Sequence, residues 1–323
     1  MYHRMLVPLD GSELSEVVFP YAKELAGRLG LDVVLLHVHS PEESNTVSLH
    51  RAYIEHKAEL IKHESQEVQD KVGGEPGGTG VRVWGELAVG YPAEEILRFA
   101  EEKDIDLILM ATHGRSGIRR WVMGSVADKV LRAAKVPVWL VRAGLPEGIV
   151  YDKWPQRTIL VPLDGSELAE TVLPHVEALA KQQGAELVEV VLLSVCEPAG
   201  ASGYYPPSAR FETSTGAVHV MPRDFARAQA AKQKMLAKQY LTGVEKRLKE
   251  AGLRVRSEVR VGNPAHEIAD YASNSPFNLI VMATHARSGL SRWAYGSVAA
   301  KVLQGVSSPI FLVRTGKSES AQV

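Results

Sequence analysis

The chain has 323 residues, a length that fits two domains of ordinary size. It is 45% hydrophobic and 23% charged, which excludes a wholly disordered chain, a collagen and a small disulfide scaffold. Thirty-seven Lys and Arg against 38 Asp and Glu leave a net charge of -1, so no basic surplus calls for a nucleic-acid partner.

The single cysteine, Cys196, cannot close an internal disulfide and removes zinc-ribbon and CxxC redox readings. No apolar run approaches the ~20 residues that span a bilayer. Pro8 arrives too early for a signal-peptide core. A cytoplasmic protein without membrane contact is expected.

In chain order, residues 5–9 form a short apolar run suited to a buried strand. Asp10-Gly11-Ser12 breaks it, and Ser12 is placed to cap a helix over 13–29 that Gly30 ends. Residues 33–38 are a second buried strand. A polar helix follows over 48–72, ended by Gly73-Gly74, and 81–85 is a third strand. Pro92 suits the first turn of a helix reaching residue 102. Residues 107–110 are a fourth strand, 124–134 a helix and 138–141 a fifth strand. A Gly- and Pro-bearing linker spans 143–156.

The same order then returns. RMLVPLDGSEL (4–14) matches TILVPLDGSEL (158–168) at nine of eleven positions. VVLLHVHSP (33–41) matches VVLLSVCEP (190–198). ATHGRSGIRRWVMGSV (111–126) matches ATHARSGLSRWAYGSV (283–298) at eleven of sixteen. KVLRAAKVPVWLVR (129–142) matches KVLQGVSSPIFLVR (301–314). The spacing between matches grows along the chain, which puts the larger insertion at 199–224, a stretch rich in Gly, Ser, Pro and Tyr. A repeat of about 160 residues is too long for a solenoid unit and reads as two copies of one domain. The expected domains are 1–143 and 157–316, with a polar tail over 317–323. Alternating strands and helices with continuously apolar strands imply parallel sheets covered on both faces. The fold class is α/β: two tandem open α/β sandwiches with mainly parallel five-stranded sheets, Rossmann-like.

In such sheets ligands sit outside the carboxyl ends of the strands. Two loops per copy lie there. One is Pro8-Leu9-Asp10-Gly11-Ser12. The other is Ala111-Thr112-His113-Gly114-Arg115-Ser116-Gly117, followed by Gly124-Ser125 at the start of a helix. Glycines let backbone N–H groups approach phosphate oxygens. A helix N-terminus adds unpaired N–H donors and a positive dipole end. Ser125 offers a hydroxyl and Arg115 a guanidinium. Each glycine alone serves a turn equally well, and Asp10 equally well forms one. The spaced set points to phosphate.

With these residues the chain resembles the universal stress proteins in a tandem two-domain form. Nucleotide-binding members of that family carry G-x2-G-x9-G-[ST] after the fourth strand. Here the pattern stands as Ala111-x2-Gly114-x9-Gly124-Ser125, with Ala in the first place. LVPLDGSE and PVWLVR also fit, and the resemblance covers nearly the whole chain, twice. It implies an adenine nucleotide alpha hydrolase-like fold, and binding of ATP, or of AMP or another adenine nucleotide, with Mg²⁺ taken up with the phosphates. Asp10 would face the adenosine part, with Pro8 and Leu9 also in the nucleotide site, and Val38 would meet adenine through its backbone. Ala111, Thr112, His113, Gly114, Arg115, Gly124, Ser125 and Val126 would hold ribose and phosphates. The resemblance also implies that the last strands, 138–141 and 310–313, pair across an interface between the copies. A homodimer is left open.

The second copy keeps Pro162, Leu163, Asp164, Val195, Ala283, Arg287, Gly296, Ser297 and Val298 at matching positions. Gly114, however, becomes Ala286. A positive φ there would cost on the order of 1–2 kcal/mol, so the first site is expected to fill first. Other candidates carry less. His113 and His285 recur without a paired carboxylate or nucleophile nearby. His37 and His39 lie two apart on a strand without an evident third metal ligand, and the second copy has Ser194 and Cys196 there. Trp121 and Trp293 read as packing residues. The function expected is an ATP-binding stress-response module with no catalytic residues and at most slow hydrolysis. The alternatives are a slow ATPase or adenylyl-transferring enzyme of the same fold, which would need HxGH or SGGxDS near the first strand, and a nucleotide-independent scaffold.

Overall fold

The computed structural model describes residues 2–72, 80–112, 123–142, 157–197, 223–274, 279–285 and 296–315. The first copy runs β1 (Arg4–Leu9), α1 (Glu13–Glu16), α2 (Phe19–Leu29), β2 (Asp32–His39), a 3₁₀ turn (Pro41–Thr46) and α3 (Val47–Lys71). It continues with β3 (Val83–Val89), α4 (Pro92–Glu102), β4 (Leu107–Ala111), α5 (Ser125–Ala133) and β5 (Val138–Val141). The second copy repeats the order: β6 (Arg157–Pro162), α6 (Glu167–Glu170), α7 (Leu173–Gln182), β7 (Val188–Cys196) and α8 (Arg223–Glu250). Then come β8 (Arg254–Val261), α9 (Pro264–Asn274), β9 (Leu279–His285), α10 (Ser297–Gly305) and β10 (Ile310–Thr315).

The inner strands are apolar on both faces, so helices must cover both, whereas the edge strands β3 and β8 are only partly buried. Along the sheet the order is β3-β2-β1-β4-β5-β10-β9-β6-β7-β8. Pairs within each copy are parallel. The central pair is antiparallel, with Leu140 opposite Ile310, Trp139 opposite Phe311 and Val138 opposite Leu312. The expected pairing of the two last strands is therefore present. It joins what the sequence reads as two five-stranded sheets into one of ten strands, because each apolar last strand would otherwise leave an open edge.

One core lies on each face. Helices α2, α3, α7 and α8 cover one, and α4, α5, α9 and α10 cover the other. Both cores cross the seam between copies. There Trp139 and Phe311, both fully buried, meet edge to face at 5.8 Å. The Tyr2 hydroxyl and His175 Nδ1 are hydrogen-bonded at 2.5 Å, and the Glu24 carboxylate lies 3.8 Å from the buried Arg157 guanidinium.

Two expected elements differ. The single helix over 13–29 is broken into α1 and α2. Pro20 has no N–H to continue the ladder and sits instead in the first turn of a new helix, as Pro174 does in α7. The third strand does not stop at Gly85 but runs Val83–Val89, paired with β2 throughout. Gly85 is there for packing, since a Cβ on it would stand 2.8 Å from Ile54 Cγ2 on α3. Gly30 ends α2 as expected, at φ 64°. The linker, the 199–224 insertion, the tail after residue 316 and both Trp121 and Trp293 lie outside or almost wholly outside the described residues.

Candidate functional site

The carboxyl ends of β1, β2, β3 and β4 surround a cleft of about 670 Å³. Pro8, Leu9, Asp10, Val38, Ala111, Thr112, Gly124, Ser125 and Val126 all line it. The structure thus brings together the loop after β1, the end of β2 and the N-terminus of α5. His113, Gly114 and Arg115 lie outside the described residues.

Asp10 is half-buried and organises its own loop. Its Oδ1 accepts from the Ser12 backbone N–H at 3.0 Å and from the Ser12 hydroxyl at 2.6 Å. The Ser12 side chain in turn accepts from Ser15 N–H and caps α1. Helix α1 is held against α3, where Tyr53 and Lys57 both donate to the Glu16 carboxylate at 2.8 Å. Burial, with the Glu16 carboxylate beside it, pushes the Tyr53 phenol up.

On the opposite wall Gly124 is the N-cap of α5, at φ -60° and ψ 148°, and makes no side-chain cap. Its own N–H donates to Thr112 O at 2.8 Å, and Thr112 N–H donates to Val141 O at 2.9 Å. Ser125 is therefore the first helical residue rather than the cap, and it is exposed. The first N–H groups of a helix have no partner within it, and they carry the positive end of its dipole. No Lys or Arg lines the cleft among the described residues, so its described attraction for an anion comes from this helix end.

The cleft also has walls that the sequence reading missed. Met110 and Ile96 form part of its apolar lining, Ser40-Pro41-Glu42 border it, and Gly90-Tyr91-Pro92 form part of its rim. The tripeptide Gly-x-Pro at 90–92 recurs at 262–264, a signal that could have found this rim. His37 lines the cleft as well, and its Nδ1–H donates to Leu9 O at 3.0 Å, tying β2 to the loop before Asp10. The His37 ring stands 4.3 Å from that of His50. Among the described residues no group of three or more His, Cys, Asp or Glu side chains is arranged to hold a metal. Cys196 is half-buried, and burial raises its thiol.

The second copy has a matching cleft of about 530 Å³, lined by Pro162, Leu163, Asp164, Val195, Ala283, Gly296, Ser297 and Val298. Arg287 and Ala286 lie outside the described residues. Asp164 repeats the Asp10 turn, accepting from Ser166 N–H at 2.9 Å and its hydroxyl at 2.6 Å. Among the described residues no helix is long and apolar enough to cross a membrane.

Two parallel α/β halves, each with a ligand-sized cleft over the carboxyl ends of its strands, have the layout of nucleotide-fold proteins. The universal stress protein family profile matches residues 1–142 and again 156–314. The chain belongs to that family. One copy's length is 34% identical to the universal stress protein MJ0531 of Methanocaldococcus jannaschii, over 44% of this chain and 83% of that one. A universal stress protein of Mycolicibacterium smegmatis is 23% identical over 96% of both chains. A solved universal stress protein from Archaeoglobus fulgidus shares the fold, with a TM-score of 0.62 at 20% identity over 97% of this chain and 98% of that one.

Proposed function

We propose that the first cleft binds an adenine nucleotide, ATP foremost, and that the protein is a nucleotide-dependent stress-response module. The observation that carries this reading is the N-terminus of α5, Gly124-Ser125-Val126, lining the same cleft as Asp10 and Val38. Phosphates would lie at the helix end. The base and ribose would lie toward Val38 and Asp10, between the apolar walls. Mg²⁺ would come with the phosphates rather than be held by a protein cage. The domains are taken as 1–143 and 157–316, paired within one chain in the cytoplasm. The second cleft is read as a weaker site of the same kind.

Turnover is expected to be slow. Of the described groups lining the cleft, Asp10 already accepts two hydrogen bonds from Ser12, and His37 Nδ1 is committed to Leu9 O. Neither of them, nor Glu42 on the border, is assigned the role of a base that activates water. Sustained hydrolysis at tens per second would overturn this part.

Isothermal titration with Mg-ATP tests the site. At Gly124 the backbone is in the extended region, so Gly124→Asp fits it and supplies a good N-cap. The new carboxylate would occupy the donors that phosphate needs and repel it. Binding at the first site should fall by roughly tenfold or more, while thermal stability holds or rises. Unchanged affinity would sink the assignment.

A further inference from the structure

We infer that Tyr91 covers the nucleobase in the first cleft, stacking its ring on the face of adenine that the apolar wall leaves open. This rests on the nucleotide reading and adds the residue that reads the base as an aromatic surface. Tyr91 is 74% exposed, more than any other large hydrophobic side chain described, and it stands on the cleft rim. Its backbone is nevertheless held. Gly90, at φ 149°, donates its N–H to His39 O at 3.0 Å. Pro92 begins α4 immediately after, and Glu95 N–H donates to Tyr91 O at 3.0 Å. The ring therefore stands at the mouth of the cleft on a fixed backbone, where a side-chain rotamer can bring it over a base.

Tyrosine is also the wrong residue for its local post. Tyr91 is the N-cap of α4 and makes no side-chain cap. The second copy has Asn263 at that place, and its side chain accepts from His266 N–H at 3.2 Å, as a cap should. Asn263 is not in the lining of the second cleft, whereas its neighbour Pro264 is. The first copy thus gives up a cap and leaves an aromatic ring in water, a local rule broken at a ligand cleft. Purines offer two apolar faces, and a neutral ring tolerates any base stacked on it.

The test titrates the full chain with Mg-ATP and, separately, with inorganic triphosphate. Tyr91→Ala should weaken ATP at the first site roughly 5- to 100-fold, the range of one aromatic–base stack. Tyr91→Phe should keep the affinity, and triphosphate should bind wild type and Tyr91→Ala alike. Tyr91→Asn, which restores the cap, should lose ATP affinity while gaining stability. If wild type binds no adenine nucleotide, the nucleotide reading falls and this inference with it. If wild type binds ATP and Tyr91→Ala binds it equally, only the inference falls. A loss shared equally with triphosphate, or a change in molecular mass with affinity intact, would overturn it too, the latter marking Tyr91 as a contact between protein copies.

Discussion

The two copies build the same loop from the same residues and then finish their clefts differently. Asp10 and Asp164 accept nearly identical pairs of hydrogen bonds from the serine two residues on. Yet Asp10 is half-buried and Asp164 is exposed. Gly124 and Gly296 both precede Ser-Val at the start of a helix, with ψ 148° and 150°. Their φ values are -60° and 82°. The seam shows the same departure. Glu24 in α2 meets Arg157, whereas the matching position in α7 is Ala178 and the match to Arg157 is the exposed His3. Duplication kept the backbone plan, and the side chains drifted wherever the plan did not depend on them. An identical residue can therefore stand in both copies for different reasons.

The largest effect is expected at the seam. The Glu24 carboxylate is 4% exposed and takes Arg28 Nε at 2.6 Å as well as facing Arg157, itself 6% exposed. Glu24→Ala copies what α7 already has, but it removes a buried carboxylate that the Arg28 and Arg157 guanidiniums both face. That should cost about 3 kcal/mol or more. Combining it with Arg157→Met removes the buried charge and should recover most of the loss. Urea unfolding of the two variants checks this. Equal losses in the single and double variants would mean that the seam is not electrostatically coupled at Glu24.

The glycines come next. At φ 82° and ψ 150° Gly296 occupies a region that side-chain-bearing residues avoid, so Gly296→Ala should destabilise by about 1–3 kcal/mol. Gly124→Ala, in an extended conformation, should change stability by about 0.5 kcal/mol or less. The same urea experiment measures both. Equal effects would show that the two helix starts are alike in solution.

Much of the fold was legible because buried parallel strands are plain apolar runs, and because nine of eleven residues repeat around Asp10 and Asp164. The described cleft residues expected from the motifs also converge. What escaped has physical causes. The apolar pattern continues through Val17-Val18, so the residues show one helix across the break ahead of Pro20. Gly85 looked like a strand end because its reason for being small, Ile54 on α3, lies far away in sequence. At the rim only Pro92 carries a sequence signal, and that signal is a helix start. The joining of the sheets came from family resemblance, since residues alone show an apolar edge and not what covers it. The φ of Gly296 could not be read at all, because glycine permits either sign.

The smallest expected effect concerns the seam's titratable contact. The Tyr2 hydroxyl and His175 Nδ1 are hydrogen-bonded at 2.5 Å, and burial holds the imidazole below its ordinary value. The first copy has Tyr21 at the position of His175. As pH falls below about 6.5 the unfolded chain takes up the proton first, so His175 lowers stability on acidification and has no such effect above neutrality. His175→Gln removes the titration, and the gap in unfolding free energy between wild type and variant should shrink from pH 7.5 to pH 5. The ring is only half-buried, so solvent screening keeps the change small. A gap that stays constant or widens across that interval would show that the imidazole is as easily protonated in the folded seam as in the unfolded chain. The contact between the copies would then be indifferent to pH.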